Sequence, residues 1–242
     1  ASGTLKFLLS AIKKQPQAAV SLSQMLTTQR RIADISQVDK IPLPALMFQA
    51  GYLTIRDYQQ DAYQLDFPNK EVRDAFFDSV LEELGELDTW VVNRSAEKLQ
   101  TALHEVDLTA FVSIINTYFA RIPYHASQHA KEGFYQALFL TFLELSGLPV
   151  QGEVITNKGR IDVFCTLDKV SYIFELKVDQ AAALAMDQAL HQVYSQRYRQ
   201  QGKKIVVMGI RFSSTTRDIA DWQGELLDEE GNLVRKLVPS EV

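Results

Sequence analysis

Apolar positions recur with a helical period in the first half of the chain and with a strand period further on. Leu5, Leu8, Leu9 and Ile12 share one helical face. A second helix is expected over Leu43–Ala50, stopped by Gly51, since glycine accepts the left-handed turn that closes a helix. Tyr52–Arg56 and Ala62–Phe67 read as two short strands around the polar turn Asp57-Tyr58-Gln59-Gln60-Asp61. Pro68-Asn69 then punctuates the chain. Asn69 can cap a helix running to about Leu84, with Val72, Phe76, Val80 and Leu84 four apart on its buried stripe.

Residues 89–119 carry two amphipathic segments. Leu99, Leu103 and Val106 belong to the first, and Leu108, Phe111, Val112, Ile115 and Phe119 to the second, with a joint near Glu105-Val106-Asp107. Beyond them Lys131–Leu145 reads as a long helix ended by Ser146-Gly147. Val150–Thr156, Gly159–Thr166 and Ser171–Val178 read as strands, and Ala181–Gln201 as a helix stopped by Gly202. Lys204–Phe212 is a nearly continuous apolar run, the mark of a strand buried on both faces. This order predicts an α/β (α+β) fold with a central mixed sheet flanked by helices. It also suggests three regions: 1–88, a connection over 89–119, and 120–242. The helix, hairpin and helix of the first region resemble a winged-helix module.

Composition narrows the class. The chain has 242 residues, 46% hydrophobic and 23% charged, which excludes disordered, collagen-like and coiled-coil chains. Cys165 is the single cysteine, so neither an internal disulfide nor a cysteine-rich zinc site can form, and a reducing cytoplasm is the default location. No apolar run reaches the ~18 residues a membrane span needs, and no signal peptide is visible. The first residue is Ala, not Met, as in a fragment.

The net charge of −5 is unevenly spread. Glu71 to Asp88 holds seven acidic residues and one basic, Arg73. Phosphate would be repelled there, so a solvated face or a protein partner at helix 71–88 is expected. Ala189 to Arg217 holds Arg197, Arg199, Lys203, Lys204, Arg211 and Arg217 and no acid, a pattern suited to phosphate contacts. Self-association is left open by the sequence.

The chemistry concentrates in Asp162 and in Phe174-Glu175-Leu176-Lys177. Strand side chains alternate, so Glu175 and Lys177 share a face and Leu176 takes the other. A two-residue turn at Asp168-Lys169 sets Asp162 opposite Glu175, with Cβ atoms ~5 Å apart, and Val163 opposite Phe174 on the packed face. Opposed carboxylates repel unless a cation lies between them, and hard oxygen ligands suit Mg²⁺. An exposed salt bridge of Lys177 would account for the same residues. Yet Tyr-Ile-Phe-Glu-Leu-Lys-Val is too apolar for a strand exposed on both faces. Glu153 is another acidic neighbour without a signal of its own.

Asp162 followed by Glu175-Leu176-Lys177 resembles the D…(D/E)-x-K signature of the PD-(D/E)xK nuclease superfamily. More narrowly, residues 130–217 resemble the nuclease-like C-terminal domain of bacterial and archaeal proteins with an AAA-ATPase-like N-terminal domain. The matching stretches are Glu132-Gly133-Phe134-Tyr135-Gln136, Gly159-Arg160-Ile161-Asp162, Phe174-Glu175-Leu176-Lys177, Ala189-Leu190-His191-Gln192-Val193 with Tyr198, and Val207-Met208-Gly209-Ile210-Arg211-Phe212-Ser213. Phe48–Ile55 and Phe67–Val72 are similar to the end of the ATPase-like region.

The resemblance implies a restriction-endonuclease-like fold and a metal-dependent nuclease acting on nucleic acid, with DNA expected. Asp162 and Glu175 then bind Mg²⁺ (or Mn²⁺), Lys177 acts on the attacking water and the developing charge, and Glu132 is an auxiliary contact. Gln192 and Tyr198 line the cleft; the charge pattern, separately, makes Arg197, Arg199, Lys203 and Lys204 the expected phosphate contacts. There is no G-x-x-x-x-G-K-[ST], hence no P-loop, as if the chain began near the end of the ATPase-like region. His125 and His129 stand four apart, but Pro123 favours a loop. A non-catalytic protein-interaction module that keeps the nuclease fold is the alternative.

Overall fold

The computed structural model describes residues 3–20, 22, 25–28, 43–59, 62–128, 130–156, 159–193 and 202–239. Helix α1 (Gly3–Lys14), a 3-10 turn (Pro16–Ala19), strand β1 (Met25–Thr27), helix α2 (Leu43–Gln49) and the strands β2 (Thr54–Gln59) and β3 (Ala62–Asp66) come first. β3 pairs antiparallel with both β1 and β2. Gly51 ends α2 with φ +80°, as its position suggests. The hairpin departs from the expected turn, because β2 continues through Asp57 and Tyr58 to Gln59. Tyr58 opposes Tyr63, ring centroids 4.8 Å apart, and this cross-strand aromatic pair extends the ladder into polar sequence.

Helix α3 (Lys70–Gly85) starts where Asn69 Oδ1 accepts the Val72 amide. Phe76, Val80 and Leu84 are buried, and so are Phe77 and Leu81, because α3 is packed by α1 on one side and by a later helix on the other. The connection folds as α4 (Trp90–Asn93), α5 (Ala96–His104) and α6 (Leu108–Phe119). Val106 turns the corner with φ +58°, and Asp107 caps α6 by accepting the Ala110 amide. Pro123 does not keep the next segment in a loop. It stands at the N-cap of the one-turn helix α7 (Tyr124–Ser127), where its fixed φ fits and its missing N–H loses no helical bond. His129 lies outside the described residues.

Helix α8 (Glu132–Leu145) is almost wholly buried. It leads into β4 (Val150–Thr156), β5 (Gly159–Thr166), β6 (Val170–Val178), helix α9 (Ala182–Val193), β7 (Lys204–Phe212), β8 (Ile219–Leu227) and β9 (Leu233–Leu237). These form one six-stranded sheet in the order β4-β5-β6-β7-β8-β9, parallel between β6 and β7 and antiparallel elsewhere. The expected α/β (α+β) architecture, a mixed sheet flanked by helices, is therefore present, consistent with a restriction-endonuclease-like fold.

On one face Phe174 stacks on Phe111 (5.5 Å) and meets Phe139 edge-on (5.4 Å), bringing α6 and α8 onto the sheet. On the other, Ile173, Ile205 and Val207 pack under Met186 and Ala189 of α9. The apolar pattern predicts strands only as far as β7. β8 and β9 escape it because Asp221, Gly224 and Glu225 break the apolar pattern of β8, and β9 is an exposed edge. The helix expected to run to Gln201 is described as far as Val193. No described helix is long and apolar enough to cross a membrane.

Candidate functional site

The β5–β6 ladder runs from Thr166↔Ser171 to Val163↔Phe174, the register that a turn at Asp168-Lys169 dictates. The next rung would be Asp162 with Glu175, and there the ladder opens. Asp162 Oδ2 accepts the Leu176 amide at 2.9 Å, so its carboxylate takes the place of a main-chain acceptor and is pinned beside Glu175. Asp162 is 5% exposed and Glu175 is fully buried. Neither Glu175 oxygen has a hydrogen-bond partner among the described residues, and Lys177 Nζ stands 3.6 Å from Oε1. The same ammonium lies 3.8 Å from Oε1 of Glu132, the first residue of α8. Asp162, Glu175, Lys177 and Glu132 are thus brought together.

Burial pushes the Glu175 carboxyl up to about 8; the charge of Asp162 adds to this and Lys177 opposes it. Burial raises Asp162 too, against the Leu176 N–H and the charges of Lys177 and Arg160. Two acids in one dry site call for a cation. Among the described residues no group of three or more His, Cys, Asp or Glu is spaced to hold a metal. Two adjacent buried carboxylates, one of them without a hydrogen-bond partner among the described residues, nevertheless fit a hard ion of the Mg²⁺ class, which commonly rests on one or two carboxylates and keeps its waters.

Glu153, an acidic neighbour without a signal of its own in the sequence, also joins the site. The rungs Gly152↔Val163 and Val154↔Ile161 bracket it directly opposite Asp162, so Glu153, Asp162 and Glu175 form a row across β4, β5 and β6. Glu153 holds φ +50°, and its carboxylate meets Arg160 Nη1 at 3.1 Å. Burial raises its pKa, Arg160 counteracts, and Asp162 adds to the rise. A cleft of about 970 Å³ opens here, lined by Glu153, Arg160, Lys131 and Gly133 and, from the N-terminal segment, Lys13 and Lys14. Only the register of β4 on β5 could have flagged Glu153.

The basic stretch behaves differently from the acidic row. Lys203 Nζ donates to Leu167 O (2.7 Å) and Thr166 Oγ1 (3.2 Å), tying the start of β7 to the β5–β6 turn, at the end of these strands away from Asp162. Lys204 is exposed at that same end. Arg197, Tyr198 and Arg199 lie outside the described residues. Gln192 belongs to α9, and its side chain is likewise outside the description. Lys203→Ala should lower stability by about 1 kcal/mol in urea unfolding and leave nucleic-acid affinity nearly unchanged. The reverse pattern would return Lys203 to the binding face. Cys165 is buried on the face opposite Asp162, its thiol pushed up to about 12 by burial and then by Glu144, so it stays unreactive.

Residues 130–222 match the family model of the PD-(D/E)XK nuclease superfamily, which points to a nuclease-like function for this part. Nucleases of that superfamily generally use divalent metals. Over 237 residues the chain is 31% identical to an uncharacterized protein in the vnfD 5' region of Azotobacter chroococcum mcd 1. The alignment covers 93% of this chain and 45% of that protein, so the chain spans under half the length of this curated relative. No solved structure matches.

Proposed function

We propose that the protein hydrolyses phosphodiester bonds of nucleic acid, DNA in the first place, with Mg²⁺ or Mn²⁺ held by Asp162 and Glu175. The observation that carries this reading is the buried carboxylate of Glu175, without a hydrogen-bond partner among the described residues, beside buried Asp162 and in an ion pair with Lys177 at 3.6 Å. The ion, when bound, lowers the pKa of a water and offsets charge on the phosphate. Lys177 supplies a mobile donor and a positive charge in a site that water barely enters, suited to orienting the attacking water or to the charge growing on phosphate oxygens. Glu132 positions Lys177 through their 3.8 Å ion pair. The region 1–88 is read as a winged-helix-like interaction region and 89–119 as its connection, in keeping with the helix, strand, helix and hairpin order at the N-terminus.

A second reading is a non-catalytic module that binds a protein through α3, whose Glu71, Glu82 and Glu86 flank are exposed. One assay separates the two. Plasmid, single-stranded DNA and RNA are incubated with the protein and Mg²⁺ or Mn²⁺, with chelator controls and the variants Asp162→Ala and Lys177→Ala. Metal-dependent cleavage that both substitutions abolish is expected. Cleavage indifferent to both, or none with either metal, sinks the nuclease reading.

A further inference from the structure

Two exposed aromatic rings at the heads of short helices are covered by arginines. Trp90, at the head of α4, is 46% exposed, and the guanidinium carbons of Arg94 and Arg121 lie 5.5 and 5.4 Å from its ring centroid. Tyr124, at the head of α7, is 62% exposed, with Arg217 4.9 Å from its centroid. Arg121 and Tyr124 are three residues apart, which keeps the two clusters within about 11 Å of chain. Among the described residues, none of these three arginines has a carboxylate within 4 Å. The acids nearby are engaged elsewhere: Glu86 with His125 (2.8 Å), Asp88 with the Trp90 amide (3.0 Å), and Asp179 with the Ser214 amide (2.9 Å) and hydroxyl (2.6 Å).

This strip leads to the candidate site. The turn carrying Arg217 is fastened to Asp179, which directly follows β6 and stands two residues beyond Lys177. The row of Trp90, Arg121, Tyr124 and Arg217 is therefore joined to the candidate site through Asp179, two residues beyond Lys177.

Exposed rings interleaved with guanidinium groups free of counter-ions suit one class of ligand. Unpaired bases stack on aromatic and guanidinium planes while their phosphates meet the positive charge. A duplex hides its base faces and gains little from the rings. We propose that this strip is a stacking track for single-stranded nucleic acid. The proposal rests on the nuclease reading and specifies its substrate as one with an unpaired portion.

The test is fluorescence anisotropy on the full chain in chelator, so that nothing is cut, with labelled 20-mers of oligothymidine and oligouridine and a 20-base-pair duplex. Single strands should bind more tightly than duplex. Trp90→Ala and Tyr124→Ala should each weaken single-strand binding about 10-fold, the loss of one stacked base, with duplex binding unchanged. Trp90→Phe should keep most of the affinity. The wild-type chain gives an independent reading, because a bound strand should quench Trp90 emission, with Trp90→Phe as the blank. Equal losses on both ligands, no loss in either variant, or unquenched emission at saturation overturns the track. Single-strand binding through these residues by a chain that never cleaves overturns the nuclease reading alone. Cleavage indifferent to Trp90→Ala and Tyr124→Ala overturns the track alone.

Discussion

Gly209→Ala should lower stability by about 3 kcal/mol, the upper end of what overpacking a tight interior does. Gly209 sits in the middle of β7 and pairs with Glu175 across the parallel β6–β7 ladder. A Cβ there would come 2.4 Å from the Met186 amide nitrogen and 2.7 Å from the Ala182 carbonyl oxygen. Both are backbone atoms of α9, so no change of rotamer can make room, and the whole helix has to lift. Lifting it uncovers the buried small residues Ala182, Ala185 and Ala189 and loosens the layer above Glu175. Urea unfolding midpoints measure the first effect. Cleavage at low temperature, where the variant is still folded, measures the second and should also fall. Gly202→Ala is the control: its Cβ meets nothing within 4 Å, and only its φ of +61° opposes the change, so about 1 kcal/mol is expected. A Gly209→Ala chain as stable as the control would mean that α9 does not lie on the strand at this distance.

The same glycine marks the limit of what the sequence conveys. It stands in an apolar run that reads correctly as a doubly buried strand, yet nothing in that run announces a helix backbone in contact with it. The β5–β6 hairpin was legible because one short turn fixes its register, and Val163↔Phe174 follows at once. The opening of the ladder at Asp162 was not, since it depends on a side chain replacing a main-chain acceptor. Local chemistry was legible elsewhere as well: Asn69 caps α3, and Gly51 and Gly147 hold positive φ behind their helices. Contacts distant in sequence were not. Glu153 needs the β4 register, Lys203 reaches back 36 and 37 residues, and Arg217 finds Tyr124 only through the folded turn at Asp179. A basic run therefore signals solvated charge and leaves open what each charge meets.

Stability of the metal-free protein should fall as pH rises from about 5 to about 8, and Glu175→Gln should remove most of that fall. The folded chain holds the Glu175 proton up to about 8, against an ordinary value of 4.5. Between those values the native state binds a proton that the unfolded chain has released, so raising the pH favours unfolding. Asp162 is shifted in the same direction by its own burial and reinforces the slope. The effect is on the order of a few kcal/mol, because each pH unit across such a window is worth about 1.4 kcal/mol before relaxation of the site. Glutamine keeps the shape and carries no proton to lose, so thermal melts of Glu175→Gln should retain only the small slope due to Asp162 over this range and exceed wild type near pH 8. Mg²⁺ should act in the opposite sense on the wild-type chain. It must displace the proton to reach the carboxylate, so its stabilisation should be small at pH 6 and large at pH 8, and absent in Glu175→Gln. Melts of both chains with and without Mg²⁺ at these pH values decide the matter. Wild-type stability that rises towards pH 8 without metal would show Lys177, at 3.6 Å, to be holding Glu175 ionised, and the site would then be a closed ion pair with no vacancy for a cation.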